Sequence, residues 1–209
     1  MADVHALLFD FGNVIGFFDH DRGAAQVAEL LRADPRRVYD FFFRTYLEDR
    51  YDRGLISSDE LLAMLRAEFN AADAPAAELE RAFGSVFWRN EPVIDVIRRV
   101  PKSVKLILGS NTNDLHYRNF SVMFADVFAR FDKIILSHEI GKRKPDREFY
   151  RVCLDAAQCA PGEMLFFDDK AENVEAARSL GIHGVVFTPA VDLTNVLREN
   201  GVVLASVEP

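Results

Sequence analysis

Four polar side chains stand at the ends of short apolar runs, where they could do chemistry together. Asp10 ends "ALLFD", Ser110 ends "LILGS", and Asp168 and Asp169 end "LFFDD". Crowded carboxylates repel one another unless a cation joins them. Oxygen ligands with no histidine or cysteine beside them in the sequence suit Mg²⁺. A carboxylate next to Mg²⁺ can attack phosphorus, and a serine hydroxyl can donate a hydrogen bond to a phosphoryl oxygen. This set of residue types indicates phosphoryl chemistry.

A short basic stretch, "GKRKPD" at 141–146, supplies the cations that such a site needs. A lysine placed there could neutralise a group in transfer. Taken alone, "KRK" at 142–144 is more typical of a solvated run of charge. Its interpretation therefore depends on whether the fold brings it to the carboxylates.

The elements that must position these residues alternate between strand and helix. Unbroken apolar runs typical of strands buried on both faces lie at 4–9, 104–109, 133–136, 163–167 and 183–187. Helical patterns lie between them, at 91–100, 145–157 and 171–181. In these, Pro145 suits a first helical turn and Gly181 suits a helix C-cap.

This alternation predicts an α/β fold with a doubly wound, Rossmann-like parallel sheet. In such a sheet the carboxyl ends of the strands share one edge, and ligands bind there. We therefore expect Asp10, Ser110, Asp168 and Asp169 to converge at that edge.

The segment from 17 to 90 breaks the alternation, because it shows helical periodicity and no convincing strand. "SSDEL" at 57–61 predicts a capping box between Ser57 and Glu60, and Asp34 before Pro35 predicts another helix start. We predict a helical cap at 17–90 inserted into a core formed by 1–16 and 91–209. Three consecutive phenylalanines at 41–43 span roughly 200° of a helix. One or more of them should therefore face the sheet domain, a ligand cleft or a partner chain.

Four motifs in this order resemble those of the haloacid dehalogenase-like hydrolase superfamily. They are "FDFGNV" (9–14), "LILGSN" (106–111), "GKRKPD" (141–146) and "FFDDKAEN" (166–173). The match spans the whole core. The residues of these motifs are most similar to those of the sugar-phosphate phosphatase branch, including glucose-1-phosphate phosphatases. That branch carries a small helical cap after the first motif. The resemblance implies a Mg²⁺-dependent phosphatase that forms an aspartyl phosphate.

The resemblance also implies a metal site and a nucleophile. Asp10 would be the nucleophile and a metal ligand, and the backbone carbonyl of Gly12 would be a second ligand. Asp169 aligns best with the metal-binding acid, with Asp168 close behind it or reaching the metal through water. Asn173, one helical turn after Asp169, would steady the site.

The same resemblance implies where the substrate binds. Ser110 and Lys144 would hold the phosphate, and Asn111 would contact phosphate or substrate. In the cap, "YDRGLIS" (51–57) resembles the substrate-facing loop. Beside these motifs, Lys144 is favoured as functional over its neighbours in the basic run.

At one position the chain departs from the resemblance. Most phosphatases of this superfamily carry an acid two residues after the nucleophile as general acid and base, and here that residue is Gly12. The glycine keeps the carbonyl but has no proton to give. Asp19 is the nearest downstream acid that could replace it.

The composition of the chain limits its possible binding partners and the cellular compartment in which we expect it. The 209 residues carry a formal net charge of -8, which disfavours nucleic acid. No apolar run approaches the roughly 18 residues that span a membrane, and the first residues lack the basic start of a signal peptide. Cys153 and Cys159 lack metal-site spacing. We expect a cytoplasmic protein that acts on a small phosphorylated metabolite, and a homodimer stays open. The five histidines show no metal-ligand spacing and are interpreted as ordinary.

Two other function classes stay open. A 2-haloacid dehalogenase-type hydrolase has the same fold, but its chemistry needs no metal, so paired acids at 168 and 169 would only repel. The alternative of a non-catalytic protein that binds a phosphorylated ligand is supported by Gly12, which stands where an acid is expected. A phosphate-transfer mutase is a further option, although it too would want the missing acid.

Overall fold

The computed structural model describes residues 4–206, and its centre is a parallel sheet. Within these residues the strands are β1 (Ala6–Phe9), β2 (Gly16–Phe18), β3 (Phe87–Arg89), β4 (Lys105–Ser110), β5 (Lys133–Leu136), β6 (Met164–Asp168) and β7 (His183–Val186). Five of them build one sheet in the order β5-β4-β1-β6-β7, with every neighbouring pair parallel. Phe9, the last residue of β1, pairs with Leu108 on one side and Phe167 on the other. The order reverses at β1, so β1 lies at the switch point where such sheets bind ligands.

Helices surround the strands. They are α1 (His20–Leu31), α2 (Pro35–Phe43), α3 (Leu47–Asp52), α4 (Ser58–Glu68), α5 (Ala76–Gly84), α6 (Glu91–Arg99), α7 (Asp114–Met123), α8 (Ala125–Phe128), α9 (Ser137–Ile140), α10 (Arg147–Ala157), α11 (Ala171–Arg178) and α12 (Leu193–Glu199).

Both faces of the sheet are covered, which explains why its strands are apolar without alternation. On one face Phe9 and Leu108 pack against Ile94 of α6 and Phe120 of α7. On the other face a separate cluster surrounds Phe166. The predicted doubly wound α/β sheet is confirmed.

Helices α1–α5 have a hydrophobic core of their own. Val27, Phe42, Leu61 and Leu79 are buried together there, and Leu115 of α7 joins them from the sheet domain. The predicted capping box is present, because Ser57 accepts from the Glu60 N–H while the Glu60 carboxylate accepts from the Ser57 N–H. Five helices with a shared core are consistent with an inserted cap, and we propose 17–90 as its extent.

The expectation that 17–90 contains no strand is wrong. Strands β2 and β3 form an antiparallel ribbon in which Phe17 pairs with Trp88. The ribbon stands where the chain leaves the sheet domain and where it returns. Three residues per strand are too few to show the period-two pattern by which a strand is recognised in a sequence.

Two predicted helix ends also differ. Helix α10 begins at Arg147, so Pro145 precedes the helix and forms a cis peptide bond with Lys144. Helix α11 ends at Arg178, and Gly181 turns the chain toward β7 with φ of 89°. Among residues 4–206, no helix has both the length and the apolar character needed to cross a membrane.

Candidate active site

The polar residues predicted to converge do lie at one edge of the sheet. Asp10 follows β1, and its N–H donates to the carbonyl of Phe167 on β6 at 2.9 Å. Ser110 and Asp168 are the last residues of β4 and β6. Carboxylate oxygens of Asp10, Asp168 and Asp169 lie within 4.8 Å of one another. Parallel strands in register bring these groups together from positions far apart in sequence.

Lys144 joins two of these carboxylates. Its Nζ donates to Asp10 Oδ1 and to Asp168 Oδ2, each at 2.7 Å, and to the carbonyl of Gly109 at 2.8 Å. The Lys144 side chain is 1% exposed. A buried ammonium group stays charged only when it is paired and hydrogen-bonded, and here all three of its protons have acceptors. Of the three basic residues at 142–144, it is Lys144 that the fold brings to the carboxylates.

The Asp168 carboxylate is held by donors on both oxygens. Besides Lys144, it accepts from the backbone N–H of Lys170 and from the side-chain amide of Asn173. Asn173 is fixed in turn, because its backbone carbonyl accepts a hydrogen bond from the Tyr150 hydroxyl at 2.7 Å. Asp168 is fully buried and orients Lys144.

Asp10 and Asp169 keep oxygens that no protein donor occupies among the described residues. Asp10 uses Oδ1 for Lys144, and Asp169 uses Oδ2 for the amide of Asn13 at 2.9 Å. These oxygens form a set of donors at one point, and Gly12 lines the same cleft. The set fits a hard divalent cation.

Burial and the ion pairs together set the pKa values of Asp10 and Lys144. It raises the pKa of Asp10 to about 7, against the lowering effect of Lys144, while Asp168 pushes it up further. Burial alone would lower the pKa of Lys144, but Asp10 and Asp168 outweigh it and hold that pKa above its usual range. Lys144 is therefore charged at neutral pH. A cation bound at Asp10 would also favour the ionised carboxylate.

Asn111 braces the loop that carries Lys144. Its side-chain oxygen accepts from the Lys144 N–H and its amide donates to the Lys144 carbonyl, both at 2.8 Å. Ser110 lines the cleft, and its hydroxyl has only a long 3.5 Å contact to the Asn111 carbonyl. The Ser110 hydroxyl is therefore available to a ligand, whereas the Asn111 amide is already engaged.

Phe18 occupies the space where a side chain at position 12 would begin. A Cβ on Gly12 would lie 2.8 Å from Cε1 of the Phe18 ring, closer than carbon atoms approach in proteins. Asp19, the nearest downstream acid, has a structural contact instead. It caps α1 by accepting from the Arg22 N–H and is absent from the residues that line the cleft.

The cap closes the cleft with residues that the motifs do not include. Glu48 and Asp52 from α3 face the site together with Arg143. Burial raises the pKa of Asp52 to about 7 and raises that of Glu48, with Arg143 opposing in both. Of the segment 51–57 that resembles a substrate-facing loop, Asp52 lines the cleft. Asp52 follows Glu48 by four residues, and this spacing puts both side chains on one face of a helix. That spacing is the sequence signal that could have identified the pair.

Two histidines also line the cleft, so their interpretation as ordinary residues was incomplete. His20 begins α1, and His116 lies in the first turn of α7. Burial lowers their pKa values to about 4 and about 3. Both rings are therefore neutral at physiological pH, and they act as aromatic surfaces rather than cations.

Ion pairs tie the cap helix α3 to the loop that carries Lys144. Arg53 Nη1 lies 2.5 Å from Asp146 Oδ2, and Arg143 Nη1 lies 3.0 Å from Asp49 Oδ1. Arg53 also contacts Asp49 at 3.1 Å. These ion pairs thereby connect helix α3, which lines the cleft, to the Lys144 loop.

This fold and this site define a class: an α/β enzyme with a carboxylate cluster and a buried lysine at the switch point of its sheet. Two curated relatives are similar over most of their length. The D-ribitol-5-phosphate phosphatase of Bacteroides thetaiotaomicron is 28% identical over 184 residues, covering 84% of this chain and 87% of that protein. The phosphorylated carbohydrates phosphatase of Thermotoga maritima is 27% identical over 181 residues, covering 81% and 83%.

A solved structure has the same fold. A crystal structure of a haloacid dehalogenase family enzyme from Bacteroides thetaiotaomicron, in complex with magnesium and inorganic phosphate, superimposes with a TM-score of 0.80 at 22% identity. The match covers 93% of this chain and 100% of that one. Residues 4–181 match the haloacid dehalogenase-like hydrolase family, and the chain belongs to that family.

Proposed function

We propose that this protein is a Mg²⁺-dependent phosphatase that hydrolyses a small phosphorylated metabolite through a phosphoryl group carried on Asp10. The observation that carries the proposal is the Lys144 bridge between Asp10 and Asp168, next to the free oxygens of Asp10 and Asp169. A carboxylate with a free oxygen, a buried ammonium group and a cluster of carboxylate oxygens lie together, which supports the roles of nucleophile, fixed cation and metal site.

The chain's own residues supply the nucleophile and the phosphate-binding groups for both half-reactions. An Asp10 oxygen attacks phosphorus, and the bond from phosphorus to the leaving oxygen breaks with its electron pair on that oxygen, which takes a proton from solvent. Water then attacks the phosphoryl group, which releases inorganic phosphate and restores the Asp10 carboxylate. The Ser110 hydroxyl holds a phosphoryl oxygen, and Lys144, whose three protons are held by Asp10, Asp168 and Gly109, offsets the negative charge beside it. Mg²⁺, held by Asp10, the Gly12 carbonyl and Asp169, with Asp168 behind them, would offset the negative charge of nucleophile and phosphate.

The substrate side of the proposal rests on the relatives and on the cap. Both curated relatives are named as phosphatases of phosphorylated carbohydrates or polyols. Glu48 and Asp52 of the cap line the cleft together with Asp10, which supports a small molecule as substrate rather than a polymer. A sugar phosphate is therefore one candidate substrate.

Phosphate release with and without metal tests the proposal. Wild-type protein with Mg²⁺ should release inorganic phosphate from members of a broad panel of phosphate esters and acyl phosphates, and EDTA should abolish that release. Asp10→Asn, a near-isostere, should remove turnover while leaving the circular dichroism spectrum and melting temperature close to wild type. If the Asp10→Asn variant keeps more than about a hundredth of the activity, a loss far smaller than removal of a nucleophile causes, Asp10 is excluded.

The same measurement separates the alternatives. Halide release from 2-haloacids without metal would favour the dehalogenase, for which the cluster at Asp168 and Asp169 offers no use. Stabilisation by phosphorylated ligands without any turnover would favour a binding protein.

A further inference from the structure

One wall of the cleft is aromatic. Phe18 and Phe43 both contact His20, with ring centroids 4.5 Å and 4.4 Å away. His116 continues the surface and meets Phe87 at 5.2 Å. All five rings line the same cleft as Asp10. Because both imidazoles are neutral, the wall carries no formal charge.

The aromatic wall extends into a second, apolar hollow under the cap. His20, Phe42, Phe43 and His116 line both spaces, and the remainder of the hollow is lined by apolar residues such as Val27 and Leu65, with Tyr39 and Gly23. An apolar group that entered the cleft along this wall would find a surface with few polar groups to desolvate.

Several polar groups of the cleft are engaged with one another. Asn113 donates to Asp52 at 3.1 Å, Arg143 donates to Asp49, and the Asn111 amide is taken by the Lys144 backbone. A polyol needs free donors and acceptors for each hydroxyl that it buries. Among the described residues, the polar groups without a protein partner include the Glu48 carboxylate and the Arg143 Nε, which belong to α3 and to the Lys144 loop rather than to the aromatic wall.

Phe18 connects the wall to the chemistry. Its ring lies against Gly12, in the place where an acid at position 12 would stand. An aromatic ring therefore occupies the space of a side chain at position 12, in the cleft that Asp10 also lines.

We propose that the cleft selects phosphate monoesters whose alcohol carries a flat apolar group, such as an aromatic ring, in preference to polyol phosphates. This inference rests on the proposed function. The ring would stack on Phe18 and Phe43, while the phosphate lies at Asp10 and Lys144. The bond that breaks joins phosphorus to the alcohol oxygen, which leaves with the electron pair and is protonated from solvent or a cleft acid.

Two substrates with the same kind of leaving oxygen isolate the effect of the wall. Benzyl phosphate and D-ribitol 5-phosphate are both esters of primary alcohols, but one carries a ring and the other hydroxyl groups. Steady-state kinetics with Mg²⁺ should give a kcat/KM for benzyl phosphate about tenfold or more above that for ribitol phosphate, as burial of a ring against apolar surface predicts. Acetyl phosphate, which is small and leaves easily, reports whether the phosphatase chemistry works at all.

Variants of one helix test whether the wall is responsible. Phe43→Ala should lower the benzyl-to-ribitol ratio of kcat/KM roughly fivefold, on the scale of an aromatic contact. Phe41→Ala is the matched control, because Phe41 lies on the same helix, packs on Phe69 at 5.8 Å and does not line the cleft. It should keep the wild-type ratio. Phe43→Leu, which removes the ring but keeps an apolar side chain, replaces Phe43→Ala if the latter does not fold.

The outcomes are distinct. Acetyl phosphate hydrolysis with equal or better use of ribitol phosphate would overturn the inference and leave the proposed function standing. An equal effect of the substitutions at 41 and 43 would also overturn it. Hydrolysis of none of the three substrates would contradict the proposed function itself and the inference with it.

Discussion

Among single residues, Lys144 holds the site together. It neutralises two buried carboxylates that would otherwise repel each other. Its motif could be recognised in the sequence, but its partners could not, because Asp10 and Asp168 lie 134 and 24 residues away along the chain. The resemblance supplied the roles, whereas the hydrogen bonds appear only in the folded protein.

Replacing Lys144 should impair catalysis specifically. Lys144→Ala should lower kcat about 10²-fold or more, the scale for loss of one preorganised electrostatic donor. Lys142→Ala is the control, because Lys142 is exposed and makes no contact with the carboxylates; it should stay within about twofold of wild type. Phosphate-release rates for both variants check this. Equal effects at 142 and 144 would show that the cation acts through long-range charge alone.

Gly12 and Phe18 should be coupled in stability. Gly12→Ala places a methyl group 2.8 Å from the Phe18 ring, so we expect a loss of about 1–3 kcal/mol from overpacking. Phe18→Leu should relieve part of that loss, which chemical denaturation of the two single variants and the double variant would reveal as a non-additive cycle. Fully additive effects would mean that the ring does not exclude a side chain at position 12.

Among the helices and strands, α3 links the cap to the chemistry. The strands of the sheet were predictable because unbroken apolar runs are typical of a doubly covered sheet, and β5 was predicted with its observed bounds, 133–136. The ribbon β2–β3 was not predicted, and neither was the aromatic wall, because its rings come from β2, α1, α2, β3 and α7. A surface assembled from five elements leaves no pattern in any single stretch of the sequence.

The ion pairs of α3 should matter for substrate binding. Arg53→Ala removes the contacts to Asp146 and Asp49. We expect KM to rise severalfold with kcat little changed, since the contact orients the cleft wall and does not touch phosphate; partly exposed pairs contribute about 1 kcal/mol or less. Arg50→Ala on the same helix is the control, because Arg50 is exposed. A fall in kcat with unchanged KM in Arg53→Ala would instead place the pair in the chemical step.

For the molecule as a whole, neutral buried histidines between cap and sheet domain should make folding sensitive to acid. The folded pKa of His116 is lowered by burial to about 3, against an ordinary value of 6.5. The unfolded chain therefore takes up a proton first as pH falls, so stability present above pH 6.5 is lost toward pH 3. The contribution of Asp52 to stability changes with pH in the opposite direction. Its pKa is raised to about 7, so its contribution is full below 3.8 and is lost as pH rises through about 7.

A variant isolates the histidine contribution. Between about pH 7.5 and about pH 5, His116 should account for about 2 kcal/mol of lost stability. His116→Gln should therefore show a shallower fall in the free energy of unfolding over that range, whatever its stability at neutral pH. His183→Gln, a change at an exposed strand residue, should keep the wild-type slope. Parallel pH curves for wild type and His116→Gln would contradict the assignment.

Asp10 itself should receive the phosphoryl group, and trapping that group is the decisive experiment. Wild-type protein would be mixed with Mg²⁺ and a phosphate ester that it hydrolyses, then quenched in acid during turnover, digested and analysed by mass spectrometry. We predict an acid-stable, base-labile phosphoryl group on the peptide that contains Asp10, and none on the corresponding peptide from the Asp10→Asn variant. A phosphoryl group on any other residue, or an unmodified Asp10 peptide at the quench times of a turnover burst, would contradict the proposed chemistry.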